Sequence, residues 1–256
     1  MLIKRLITVL CPLAIALGLE ALFYISLNLQ AIIALLLFLF VILLICLKSL
    51  IAEKIRTRNF WGLASLPILF YILATNYVLI LGLGFLSHVV IVLFALVLFA
   101  FLENLFLFYY HRASYQVNSL ENSAAFLNIL LFFLLVLDLN ALSVLLSLPL
   151  WILSLGLISV LFVLLWQLFW IFKIRNKIKI LYLLLIVMLI LEFFWALSFL
   201  PTNFYVLAAL LTLIYYFILG VFRTKMAEEL NQKIFLRYAL ISAALIFIIL
   251  ITSHWI

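Results

Sequence analysis

Charge is what this chain has least of: 9% of its 256 residues are Asp, Glu, Lys or Arg, against 72% hydrophobic residues. No water-soluble surface can be built from so few polar side chains, so a soluble globular protein is excluded. Cysteine is nearly missing. Cys11 and Cys46 both fall inside apolar runs, a pattern that predicts neither a disulfide framework nor a metal site. Glycine (6) and proline (4) are fewer than transporters with broken helices usually carry. There is no Gly-rich phosphate loop with its Lys, no His-Glu-x-x-His run and no Gly-x-Ser-x-Gly elbow, so ATP drive and those hydrolytic chemistries are not encoded. Paired acids able to hold Mg²⁺ against a diphosphate are also missing, since the adjacent Glu228 and Glu229 stand among countercharges. No cofactor and no metal are implied.

What the chain does have is long hydrophobic runs. About 20 apolar residues cross a bilayer, and nine stretches qualify: Leu6–Leu27, Ala31–Leu50, Trp61–Phe85, Val89–Tyr110, Asn122–Leu137, Pro149–Phe172, Ile180–Leu200, Asn203–Phe222 and Ile234–Trp255. The expected fold is all-α: a polytopic transmembrane helical bundle of about nine spans, arranged as four hairpins plus a C-terminal helix. The connections are short, so residues 1–256 are expected to form a single integral membrane domain with no soluble domain. Ala141–Leu148 reads as an interfacial segment or as a kinked extension of the sixth span, because Ser147-Leu148-Pro149 offers a helix start. The N-terminus resembles a signal peptide in its basic residues and apolar core. The run continues past the would-be cleavage point, which favours an uncleaved first span.

The basic residues give the orientation. Lys4 and Arg5 precede the first span, and Lys48, Lys54, Arg56 and Arg58 separate the second from the third. Arg112 follows the fourth, Lys173, Arg175, Lys177 and Lys179 follow the sixth, and Arg223, Lys225, Lys233 and Arg237 surround the turn from eighth to ninth. All fifteen Lys and Arg thus fall on one side. The positive-inside rule places the N-terminus in the cytoplasm and the C-terminus outside, in what reads as a bacterial cytoplasmic membrane. The net charge of +7 faces lipid headgroups. The expected partners are therefore the bilayer, with anionic lipids at the cytoplasmic rim, and other membrane proteins, but not nucleic acid.

Polar residues inside spans are the functional candidates. Measured along their helices, Glu20 and Glu192 lie roughly 12 Å below the outer end, and Asn76 and Asn128 about 15 Å below it. Together they suggest a midplane layer serving as a substrate or proton site. Nearer the cytoplasm, Glu103, Asn104, His111 and Gln167 form a second layer. No Lys or Arg lies deep in any span, so Glu20, Glu103 and Glu192 are expected to lack a fixed cation. Two readings stay open: neutral polar groups that hold helices together, or the lining of a cavity. Leu19-Glu20 and Leu191-Glu192 have similar flanks, consistent with a duplicated hairpin or with chance in a Leu-rich chain. His88, Asp138 and His254 all read as outer-face residues from separate loops rather than as a metal site.

These features bound the function without naming a substrate. A small transporter or flippase using the midplane layer comes first. A non-catalytic scaffold or partner subunit comes second. A membrane-embedded enzyme acting on lipid or lipid-linked substrates, with Glu103, His111 and Arg112 near the headgroups, comes third.

Overall fold

The computed structural model describes residues 2–24, 28–51, 57–111, 115–116, 118–172, 179–226 and 231–253. Among them are nine helices: α1 (Leu2–Tyr24), α2 (Leu29–Ile51), α3 (Thr57–Leu81), α4 (Phe85–Tyr110), α5 (Ser119–Leu146), α6 (Leu150–Ile171), α7 (Lys179–Ser198), α8 (Phe204–Met226) and α9 (Gln232–Thr252). Every one is long and apolar enough to cross a membrane. The protein is an all-helical, multi-span membrane protein. Lys54, Arg56, Arg112, Lys173, Arg175, Lys177 and His254, which carry part of the charge pattern, lie outside the described residues.

The fifth helix departs most from expectation. It does not stop at Leu137 but runs 28 residues to Leu146. Ala141–Leu146 is therefore not an extension of the sixth helix; it completes α5. Asp138-Leu139-Asn140 looks like a turn because Asp and Asn usually compete with a helix for backbone partners. Here the competition is resolved inside the helix: Asn140 Nδ2 donates to the Val136 carbonyl at 2.8 Å and Ser143 Oγ to the Asn140 carbonyl at 2.8 Å. The break comes at Ser147, whose φ of 49° is left-handed. Pro149 then caps α6 in an extended conformation (φ −69°, ψ 148°). A helix of this length rises about 42 Å, more than the ~30 Å hydrocarbon core, so α5 tilts or protrudes.

By internal packing the chain forms two compact units, residues 1–127 and 128–256. In the first, α1 packs against α4 and α2, and α3 packs against α2 and α4. Leu43, Leu47, Leu50, Leu102 and Leu105 are completely buried there. Gly18 lets α2 close on α1, since a Cβ at that position would sit 2.5 Å from Leu39 Cδ2.

In the second unit α6 packs on α7, α7 on α8 and α8 on α9. Its interior includes Leu157, Leu161, Leu164, Ile186, Ile190 and Tyr215. Gly220 gives α9 its approach to α8, because a Cβ there would lie 2.6 Å from the Tyr238 ring.

Candidate functional site

Arg5 and Thr8, three residues apart, share one face of α1 and meet Glu103 on α4. Arg5 Nε is 3.7 Å from Glu103 Oε1. Thr8 Oγ1 lies 2.8 Å from Glu103 Oε2 and 2.7 Å from the Arg5 carbonyl, one hydroxyl proton serving two acceptors. Beside them Lys4 Nζ donates to Tyr110 Oη at 2.9 Å, and Tyr110 Oη donates to the Leu50 carbonyl at 3.2 Å. The expectation that Glu103 lacks a cation is thus corrected. Depth counted along α4 alone hides that the start of α1 packs against the end of α4 and delivers Arg5 from a neighbouring helix. Glu103 is 20% exposed and Arg5 70%, so solvent and headgroups screen the pair.

Asn104, adjacent to Glu103, turns to a different task. Its Nδ2 donates to Ser123 Oγ at 2.7 Å, and Ser119 Oγ donates to its Oδ1 at 2.9 Å. One amide therefore ties α4 to the first two turns of α5. Tyr115 in the connection accepts the Leu120 N–H at 2.9 Å and reaches Glu121 Oε2 at 3.3 Å; partial burial pushes its hydroxyl pKa up. His111 is exposed at the C-cap of α4. It stands eight residues beyond Glu103, roughly 12 Å along the axis, and outside the Arg5–Thr8–Glu103 cluster.

Glu20 also meets a neighbouring helix, because His88 stands in the first turn of α4. Glu20 Oε2 is 2.7 Å from His88 Nδ1, with His88 36% and Glu20 25% exposed. Phe23 meets the His88 ring edge-on at 6.0 Å and Tyr24 stacks on it at 6.2 Å. His88 is therefore the partner of Glu20, not a surface residue awaiting a metal. A cavity of about 20 Å³, enough for one water, lies between α1, α3 and α4, lined by Leu19, Phe70, Tyr71, Thr75, Ile91 and Phe94 among others. Glu20 is not in its wall. Asn76, one residue beyond Thr75, is exposed.

In the second unit Asn128 is completely buried. Its Nδ2 donates to the Leu164 carbonyl at 3.0 Å, and Tyr215 Oη donates to its Oδ1 at 2.6 Å. Phe132 stacks on the Tyr215 ring at 4.1 Å. The arrangement bridges α5, α6 and α8, with both amide atoms engaged. Glu192 on α7 points the other way and is exposed. Gln167 on α6 is 2% exposed, and neither of its amide atoms has a hydrogen-bond partner.

The four midplane candidates do not converge within either unit. Glu20 pairs with His88 and Asn76 is exposed, while Asn128 is sealed and Glu192 faces outward. Comparison with protein families, with curated proteins and with solved structures finds no match. Function has to be read from the side chains.

The residue that stands out is one the sequence reading had placed in an outer turn. Asp138 lies inside α5, eight residues before its end, or about 12 Å along the axis. It is 3% exposed, and neither carboxylate oxygen has a hydrogen-bond partner. Its neighbours Val136, Leu137 and Leu139 are buried, and Leu139 Cδ2 would lie 3.2 Å from a Cβ on Gly156 of α6. A cavity of about 10 Å³ opens at Val136 and Asn140 against Phe194, Ser198 and Leu211. The signal that could have found it is periodicity: Leu127, Leu131, Leu134, Leu135, Asp138 and Ala141 recur at helical spacing and are all buried.

Cys11 on α1 and Cys46 on α2 also come together, side chain to side chain, with no disulfide between them.

Proposed function

We propose that this chain is a small transporter in which Asp138 takes up and releases a proton, or exchanges it for a monovalent cation, during the transport cycle. The observation that supports it is a carboxyl within a membrane span that is 3% exposed and has neither oxygen bonded. An ionised carboxylate without a partner is very costly there, whereas the neutral form is tolerated. A group whose charge state decides whether its surroundings stay closed is what alternating access requires. We also infer a cytoplasmic N-terminus and an external C-terminus from the one-sided basic residues. Anionic lipids would then meet the rim that holds Lys4, Arg5 and Lys48.

The test is infrared spectroscopy on the full chain in lipid across a pH series. Wild type should show a protonated-carboxyl stretch that disappears as pH rises and that is missing from Asp138→Asn. A band that persists unchanged at every pH would mark a sealed structural carboxyl and overturn the reading. Adding Na⁺ or K⁺ at fixed pH separates proton carriage, where the band is unmoved, from cation exchange, where it shrinks.

A second reading, a partner subunit or scaffold, is favoured by Asn76 and Glu192, both polar and exposed on membrane-spanning helices. The enzyme reading has less behind it, because Glu103 is engaged by Arg5 and Thr8.

A further inference from the structure

Of the residues that line the cavity between α1, α3 and α4, only Tyr71 and Thr75 carry a polar side chain. The rest of the wall is apolar, with Leu19 from α1, Phe70 from α3, and Ile91 and Phe94 from α4 among its members. Tyr71 and Thr75 both belong to α3, four positions apart and therefore on one face. Tyr71 is 6% exposed and Thr75 5%.

A threonine inside a helix has a partner at hand, the carbonyl three or four residues back. Of the helical threonines whose side chains are described, Thr8 donates to the Arg5 carbonyl, Thr212 to Ala208, Thr224 to Gly220 and Thr252 to Ile248. Thr75 alone departs from this: its hydroxyl oxygen is buried and has no hydrogen-bond partner. Tyr71 beside it gives its proton to the Leu36 carbonyl on α2 at 2.8 Å. A phenol whose proton is spent can only accept. The Thr75 and Tyr71 hydroxyls are neighbours, and no direct bond joins them.

We propose that this cavity is a binding site for one water molecule, held by the Thr75 and Tyr71 hydroxyls. Its volume of about 20 Å³ matches a single water rather than a solute or a lipid chain, since one water needs roughly 10–15 Å³. A wholly apolar cavity of this kind stays dry, and the two hydroxyls are what make this one different. Donors and acceptors balance. Thr75 donates to the water oxygen, and the water donates one hydrogen to Tyr71 Oη and keeps the other for a main-chain carbonyl. The water relieves the cost of burying an unbonded hydroxyl. Through Tyr71 it continues the bond to Leu36, so that Thr75 joins the link between α3 and α2. The site lies within residues 1–127 and is independent of the role given to Asp138.

The experiment is solid-state NMR on the full chain in liposomes, with ¹³C-labelled threonine and magnetisation transferred from water. The Thr75 signal is the one that Thr75→Ser and Thr75→Val each remove, so either variant suffices to identify it. In wild type it should receive magnetisation from water, several-fold more than Thr212, whose hydroxyl is given to the Ala208 carbonyl within α8. Thermal unfolding in detergent adds a readout of sign. Thr75→Ser keeps the hydroxyl and should unfold close to wild type. Thr75→Val keeps the shape but removes the water's donor, and should unfold at a lower temperature. A hydroxyl that is merely unbonded gives the reverse, because valine then removes a buried unsatisfied group. A Thr75→Val that unfolds later than wild type would overturn the proposal. So would a wild-type Thr75 signal that water never reaches; paired with an early-unfolding Thr75→Val, that result would mark a direct Thr75–Tyr71 bond in place of the water.

Discussion

The two units treat their intramembrane carboxyls in opposite ways. In residues 1–127, Glu103 is held by Arg5 and Thr8, and Glu20 by His88. Both pairs join α1 to α4, and both lie near helix ends where they are partly exposed. In residues 128–256, Asp138 is buried with neither oxygen hydrogen-bonded and Glu192 is exposed on α7. The first unit spends its polar groups on holding itself together. The second does so through Asn128 and through the Trp195–Ser154 bond between α7 and α6, while neither oxygen of Asp138 is bonded. Antiparallel packing explains the first case: the N-terminal basic residues of α1 fall beside the end of α4, so a short-range cation is supplied at no extra cost in depth. Among the described residues of the second unit, Arg223 and Lys225 lie in the last turn of α8, and Lys233 and Arg237 in the first two turns of α9.

The contrast is most exposed to failure at Asn128. Replacing it with Leu strands the Tyr215 hydroxyl in a completely buried position and should lower stability by about 2–3 kcal/mol, seen as a fall in the thermal unfolding temperature in detergent. A loss near zero would mean that the bridge between α5, α6 and α8 is not what holds the second unit.

Asp138 and Glu103 should next differ in sign. Glu103→Leu removes a partner from Arg5 and Thr8 and should destabilise by about 1 kcal/mol, discounted for exposure. Asp138→Leu removes an unsatisfied buried carboxyl and should be neutral or stabilising by up to about 2 kcal/mol, while abolishing the titrating infrared band. If both substitutions destabilise alike, Asp138 has a structural partner and the division between units collapses.

Much of this architecture was legible in the sequence, because spans are written in runs of apolar residues and nine were recovered as nine helices among the described residues. The site was much less legible. Distance along a helix located Asn128 in its span but could not say that its amide faces Leu164 and Tyr215 while Glu192 faces out, since orientation about the axis depends on neighbours far away in sequence. Glu103 was assigned no cation because Arg5 is 98 positions away. Asp138 was misplaced because Asp and Asn together imitate a turn, and only the i−4 bond from Asn140 shows how the helix continues through them.

A smaller effect tests the first unit's pairs. A double-mutant cycle of Glu20→Gln with His88→Phe should return a coupling of about 0.5–1 kcal/mol, since both groups are partly exposed and the ring also packs on Phe23 and Tyr24. Zero coupling would place Glu20 beside His88 without an energetic link and return it to the list of open carboxyls.

The smallest expected effect concerns the thiols. A sulfhydryl is a weak donor and a weak acceptor, so Cys46→Ala should change stability by less than about 0.6 kcal/mol. The contact is nonetheless checkable, because a mild oxidant is expected to close a disulfide between Cys11 and Cys46 if their side chains meet across α1 and α2. Intact mass after denaturing alkylation should show two adducts before oxidation and none after, with the chain still monomeric on a non-reducing gel. Two adducts that persist would separate α1 from α2 at this level. The packing that carries Arg5 and Thr8 to Glu103 runs along the same α1, so its register, and with it the paired character of the first unit, would have to be revised.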